Sequence, residues 1–387
     1  MPQEVAPQSP DFFSLFDDLE DPRSRNCPHP LDELLFVAIS AITSGAEDWV
    51  TVTKWARFKL DWLRRYLPFD NGIASHDTFS RVFALLDAQR FESCFIGWMQ
   101  QLCPSLAGTL IPIDGKSVRG SQNGAVGLTH LVSAWHSEAG LVLGQVRTAV
   151  KSNEITAIPE LLDALDVKGA TITMDAMGCQ HKIVEKIIAK QADYIVAVKN
   201  NQQLLAQAVE SLFTNVDAGV REGRLQENIT LDKDHGRLET RRCVVTQDLS
   251  GMGVLAQAWS GLKSVIMIES TREFINGREK ERSKGKPSTE WRYYISSHSF
   301  DASEFNRKVR AHWSIENSCH WVLDMSFRED DCRIRTGDGA ENFAILRRIA
   351  MTMIKREKST KTSFNIKRLQ AGWSTDYLET LFGLRAA

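Results

Sequence analysis

The sequence predicts an α/β protein in which a mixed sheet is flanked by helices, preceded by a helical unit and interrupted by a β-rich insertion. Three observations lead there. Residues 1 to about 100 carry apolar residues at helical spacing, and from about 105 to 200 short apolar runs alternate with amphipathic stretches. Residues of about 215 to 290 are polar and rich in Gly and charge, with strand-like runs inside them.

The first helix is read from Leu31, Leu34, Leu35, Ala38 and Ile42, and a second amphipathic stretch runs from His76 to Asp87. A strand is predicted to end at Asp114. A hairpin with arms near Leu131 to His136 and Leu141 to Val150 follows, turning through Ser137 to Gly140. Next come a helix near Glu154 to Leu165, a strand ending at Asp175, a helix near His181 to Lys190 and a strand at Tyr194 to Val198. An antiparallel start followed by β-α-β-α-β is the order of a ribonuclease-H-like sheet. Within the insertion, strands are expected at Cys243 to Thr246 and Val265 to Glu269, followed by the basic run Arg278, Lys280, Arg282, Lys284 and Lys286, for which a solvated loop is the simpler reading. After Trp291 the chain returns to the core with a strand at Arg292 to Ser296 and a helix through Glu316.

Three acids in separate contexts suggest a metal-dependent phosphoryl-transfer site: Asp114 in IPIDGKSVRG, Asp175 in TITMDAMGCQ and Glu316 in HWSIENSCHW. Asp114 reads as a carboxylate at the tip of a buried strand entering a turn, and Asp175 repeats that pattern. Two strands of one sheet that end in Asp bring their carboxylates together, and hard divalent cations are held by such oxygens. Each acid alone reads more readily as a turn cap or a solvated helical Glu than as a catalytic group. Only the fold can bring them together, because 61 residues separate the first pair and 141 the second.

IDGKSVRGS, KSNEITAIPELLDAL, DYIVAVKNNQ, DHGRLETRR and RAHWSIENSCHWVLDMSFREDDCRIR resemble the H-repeat-associated group of DDE insertion-sequence transposases, over nearly the whole chain. The resemblance implies a ribonuclease-H-like core in which Asp114, Asp175 and Glu316 bind two Mg2+ ions, with Mn2+ as a substitute. It implies double-stranded DNA as partner, both element ends and target, and a homodimer or larger assembly that holds two ends. The implied division is a helical unit over 1–100, a catalytic domain over 105–355 interrupted by the insertion at 215–290, and a tail over 356–387. The expected compartment is the cytoplasm, in association with the nucleoid.

The family pattern is only partly met. Many relatives carry a tyrosine and an arginine before the catalytic Glu and a lysine seven residues after it; here His312 precedes Glu316 by four and Leu323 follows by seven. His312, Trp313, Asn317 and His320 are therefore read as local substitutes in contacting DNA. Lys116 and Arg119, with Arg237, Arg241 and Arg242 of the insertion, are further candidates for phosphate contacts, which position DNA without reading its sequence. His312, Glu316 and His320 recur every four residues and so share a helix face, which raises a zinc site as an alternative. That alternative leaves Asp114 and Asp175 without a role. Glu329, Asp330 and Asp331 could supply the third acid if Glu316 does not, and Trp313 and Trp321 are expected in the core.

Composition fits this class. Seven cysteines without a C-x-x-C pair argue against a disulfide framework or a zinc ribbon. The apolar run Leu34 to Ile42 is too short to span a bilayer and has no basic region before it. The net charge of −2 hides an asymmetry: residues 1–50 hold ten acids against Arg23 and Arg25, a balance of −8, which leaves +6 on the rest. Such a distribution permits a basic face for a polyanion. A nuclease with the same core but no strand transfer, and an inert DNA-binding remnant of a mobile element, are the two competing readings.

Overall fold

The structure, a computed structural model, describes residues 12–23, 27–123, 127–148, 154–234, 237–274 and 286–384. Its centre is one nine-stranded mixed sheet. The strands are β1 (Leu110–Asn123), β2 (Gly127–His136), β3 (Leu141–Arg147), β4 (Thr171–Met174), β5 (Asp193–Val198), β6 (Gln226–Asp234), β7 (Arg237–Thr246), β8 (Ser264–Phe274) and β9 (Ser288–Ser296). Their spatial order is β3-β2-β1-β4-β5-β9-β8-β7-β6. Pairing is parallel for β1 with β4 and β4 with β5, and antiparallel for the rest. All four residues of β4 are buried, as expected of a short parallel strand covered on both faces.

Helices surround the sheet: α1 (Leu31–Thr43), α2 (Trp49–Phe58), α3 (His76–Leu85), α4 (Ala88–Leu102), α5 (Glu154–Ala164), α6 (His181–Ala189), α7 (Ala302–His312), α8 (Gly339–Arg356), α9 (Phe364–Trp373) and α10 (Thr375–Phe382). Several starts are written in the sequence. Asp48 and Thr51 form a reciprocal cap before α2, Asp87 accepts from two backbone N–H groups of α4, and Asp301 caps α7 through Glu304 N. Helix α1 is buried on almost every side, from Glu33 through Thr43, because α8 and α9 close over it. No described helix is long and apolar enough to cross a membrane.

Three expectations change in detail. Strand β1 does not stop at Asp114: it runs on through Gly115 to Asn123, paired with a β2 that starts four residues earlier than expected. What ends at Asp114 is the pairing on the other side, since β4 contributes its last partner, Met174, opposite Ile113. Strands β6 to β8 do not form a separate body but widen the same sheet, joined through β9 to β5. Residues 356–387, expected as a tail, contain helices α9 and α10 packed on one another and on α1 and α8. Arg278, Lys280, Arg282 and Lys284 lie outside the described residues, as does the part of the second hairpin arm beyond Thr148.

Candidate active site

The register of β1 and β4 brings two of the three acids together. Ile113 pairs with Met174 as the last rung of the parallel β1–β4 ladder, so Asp114 and Asp175 both follow that rung, Asp175 past the carboxyl end of β4 and Asp114 within continuing β1. This is the edge of an open α/β sheet where ligands gather. Asp114 is half-buried within continuing β1. Asp175 is exposed and accepts a hydrogen bond from Met177 N at 2.9 Å, which caps the short turn Ala176–Gly178.

Glu316 comes from a π-helical turn over Glu316–His320 that interrupts the helical segment after α7; Glu316 and Asn317 are exposed on it and Cys319 is buried. Such turns insert a residue into the helical ladder and recur at functional sites. The two histidines meet the same face of the sheet on adjacent strands. His312 meets β4, its Nδ1 2.8 Å from Thr173 Oγ1, whereas His320 Nδ1 stands 3.6 Å from Asp114 Oδ2 on β1. Burial pushes both imidazoles down to about 4, with nearby Arg292 adding to this for His312 and Arg348 and Lys116 for His320, so both rings are neutral at pH 7.

The carboxylates perturb one another. Asp114 is pushed up to about 7, first by burial and then by the charge of Glu154, with Glu316 and Asp175 adding to it and the N–H of Gly115 opposing. Among the described residues, no Lys or Arg forms an ion pair with Asp114, Asp175 or Glu316. As placed, no three His, Cys, Asp or Glu side chains among those residues stand close enough together to hold a metal ion.

The expected DNA contacts divide into two groups. Lys116 is buried, not facing a phosphate: its Nζ lies 2.7 Å from Asp324, 2.9 Å from Asp330 and 3.8 Å from Glu329. Glu329 in turn is fully buried against Arg348 at 2.9 Å and Arg347 at 3.9 Å, so it is committed to an internal ion cluster rather than free to serve as a third acid. Arg241 is buried, with Nε donating to Asn306, and Arg242 is held by Asp217, Glu227 and Glu269. Arg119 and Arg237 remain exposed, each with one long ion pair, to Asp330 at 3.3 Å and Glu239 at 3.6 Å. Asn317 is exposed beside Glu316. Trp313 is half-buried, with the Arg292 guanidinium 4.8 Å from the centre of its ring, but Trp321, expected in the core, is 55% exposed.

Sequence reasoning missed Glu154, which it read only as the first residue of a helix. The stretch KSNEITAIP carried it, but nothing local in that stretch places its carboxylate near Asp114.

Comparison with known proteins gives the family. The family model described as Transposase DDE domain matches residues 85–353, and the one described as DDE_Tnp_1-associated matches residues 13–99. A protein of Escherichia coli O157:H7 that carries the transposase name YncI is 40% identical over 372 residues, covering 95% of this chain and 93% of its own length. YhhI of Escherichia coli K12, named as an H repeat-associated transposase, is 39% identical over 355 residues, 91% of this chain and 92% of its own. Among solved structures, a piggyBac transposase synaptic complex with hairpin DNA matches at 13% identity with a TM-score of 0.47, over 97% of this chain and 81% of that one. With the DDE model matched over residues 85–353 and relatives aligned along nearly the whole length, the chain belongs to the DDE transposase family and, within it, to the H repeat-associated group.

Proposed function

We propose that this protein is the DNA transposase of an insertion-sequence element, with a ribonuclease-H-like core that cleaves element ends and joins their 3′-hydroxyls to target DNA. The observation that carries the reading is the placing of Asp114 and Asp175 side by side just past the last rung of the parallel β1–β4 ladder, with Glu316 close enough to act on Asp114 electrostatically. The donor set suits hard cations. It consists of carboxylate oxygens crowded without a protein cation to neutralise them, flanked by a neutral imidazole at His320 whose Nε2 is buried without a partner among the described residues. Two Mg2+ ions, or Mn2+ in their place, would supply the water activation and leaving-group stabilisation that in-line phosphoryl transfer needs.

The chain's own residues hold and orient. Asp114, Asp175 and Glu316 provide the ligating oxygens. Thr173 fixes His312, and Lys116 ties the Glu329–Asp331 turn beneath β1. Arg119, Arg237 and Asn317 are exposed and serve as contacts to DNA. The helical unit over 1–100 and the catalytic domain over 105–355 act in a homodimer, since two element ends must be held at once.

The test uses the purified chain with DNA carrying its element's ends, Mg2+ or Mn2+, and a supercoiled target. Metal-dependent cleavage and joining are expected, falling about a hundredfold or more in each of Asp114→Asn, Asp175→Asn and Glu316→Gln. Undiminished activity in any variant removes that residue from the site. Cleavage without a joined product leaves a nuclease, and salt-dependent binding without turnover leaves an inert remnant.

A further inference from the structure

We propose that the outer edge of β6 is a self-association surface, on which β6 of a second copy of this chain pairs antiparallel about a two-fold axis at Thr230. The proposal names the interface of the homodimer in the preceding reading and rests on that homodimer, but not on the chemistry of the three acids.

A strand at the rim of a sheet offers a row of unpaired N–H and C=O groups, and proteins close such rows with a covering element, a bulge, a proline, a guarding charge or a short strand. The two rims of this sheet differ in that respect. β3 is covered by α4, whose Glu92 Oε1 accepts from Gln145 N at 2.8 Å, and its pairing with β2 shifts register between Ala134 and Trp135. β6 runs nine residues from Gln226 to Asp234, keeps one unbroken register with β7 and contains no proline. Among the described residues, no hydrogen bond closes its outward backbone groups.

Successive side chains of β6 divide between two faces. Asn228, Thr230 and Asp232 share the face toward α7, where Asn306 Nδ2 donates to Asn228 Oδ1 at 2.9 Å and Arg310 holds Asp232. Glu227, Ile229, Leu231 and Lys233 lie on the other face and are exposed, Ile229 at 55% and Leu231 at 64%. The order of these four makes the strand complementary to itself. In an antiparallel pair centred on Thr230, Ile229 stands opposite Leu231 of the second copy and Glu227 opposite its Lys233, and the axis repeats both pairs. Apolar and opposite-charge pairs of this kind stabilise neighbouring strands. Lys233, a charge of the sort that guards an edge, thus finds its match within the same strand. Arg242 Nε bonds Glu227 through Oε1, which leaves Oε2 for that lysine. Register is fixed as well: a shift by two residues sets Glu227 against Leu231 or Lys233 against Ile229, and a shift by one turns the exposed face against the α7 face. Because both copies use the same edge and β3 is covered, association closes at two copies.

The measurement is sedimentation velocity of the full-length chain, with and without DNA carrying the element's ends, together with mild oxidation of Thr230→Cys. The parent is expected to dimerise without DNA, and Asp114→Asn to dimerise like the parent whatever becomes of its cleavage activity. Glu227→Lys and Lys233→Glu each set like charges opposite one another at two places and should weaken the dimer about tenfold, while the double variant, which exchanges the charges, should restore it. Thr230→Cys should give a covalent dimer, because Cβ atoms directly opposite on paired strands lie about 5 Å apart; Gln226→Cys, well away from the axis, should not. A dimer that neither charge variant weakens and that Thr230→Cys does not cross-link overturns the edge and leaves a homodimer joined elsewhere. Loss in the single variants without recovery in the double variant also overturns the pairing, since damage to the fold then suffices to explain it. A parent that stays monomeric without DNA overturns the edge, and if it is monomeric on DNA as well the homodimer falls with it.

Discussion

Glu92 on α4 is a carboxyl group folded away from water, with Oε1 accepting from Gln145 N at 2.8 Å and Oε2 without a protein partner among the described residues. Burial pushes it up to about 8, well above its usual range, with the nearby Glu341 charge adding and the bond from Gln145 and the Arg348 charge opposing. The folded state therefore retains a proton that the unfolded chain releases near pH 4.5. Between that pH and about 8 the folded state binds more protons than the unfolded, so stability falls as pH rises. Glu92→Gln mimics the protonated form and should flatten this slope. Urea midpoints at pH 5 and pH 8 check it, with a difference on the order of a few kcal/mol in the parent that shrinks in the variant. Side chains also show where sequence reading stops. Asp114 was legible because an apolar run leads into it, but the partners of Lys116 lie more than 200 residues away. A basic residue near an acid reads as a phosphate contact or as an ion-pair partner with equal ease, and only the fold separates them.

Helix α3 depends on α8 for its end. The last carbonyls of a helix need donors, and here Asn342 Nδ2 donates to both Phe83 O and Leu86 O, each at 2.8 Å, while Asp338 N donates to Ala84 O at 3.1 Å. Gly337 belongs to the same contact: its φ is +53°, and a methyl there would come 2.2 Å from Ala84 O. Asn342→Ala should leave two buried carbonyls unpaired and destabilise the protein by about 2–4 kcal/mol, read from urea unfolding. A loss under about 0.5 kcal/mol would mean that water replaces the amide. Elements built on local pattern were the readable ones, such as α5 and α6, whose apolar faces repeat at helical spacing. Strands β6 and β7 were harder to read because their outer positions are polar and their partners are set by sheet order. The π-helical turn at Glu316 had no local pattern to betray it, since the residues around it suit an ordinary helix.

At the scale of the molecule, the sequence separates a helical unit, a sheet and a tail, but packing joins them. One buried apolar cluster runs from Phe12 through the sheet to Phe382, and the rings of those two residues are 4.6 Å apart. Polar contacts reinforce the join. Arg368 on α9 donates to Ile42 O and Ala46 O at 3.2 Å and also to Ser326 O, while Trp62 Nε1 donates to Glu379 Oε1 at 2.9 Å. A guanidinium buried among these carbonyls, over the Phe327 ring at 4.4 Å and with Glu47 more distant, holds three segments of chain at once. Such coupling was invisible in sequence because each contact spans some 40 to 330 residues. The physical consequence is cooperativity: the terminal helices cannot leave without opening the ends of α1 and exposing the shared core. Calorimetry should then show one transition in the full chain, with the tryptophan signal and the far-ultraviolet signal moving together. Removing residues 359–387 should lower the melting temperature and break that coincidence, because Trp62 and the carbonyls at Ile42 and Ala46 lose their partners. Two separate transitions in the intact chain, with the helical unit melting first, would mean that the core shared across Phe12, α1, α8 and Phe382 contributes less than the sheet's own packing.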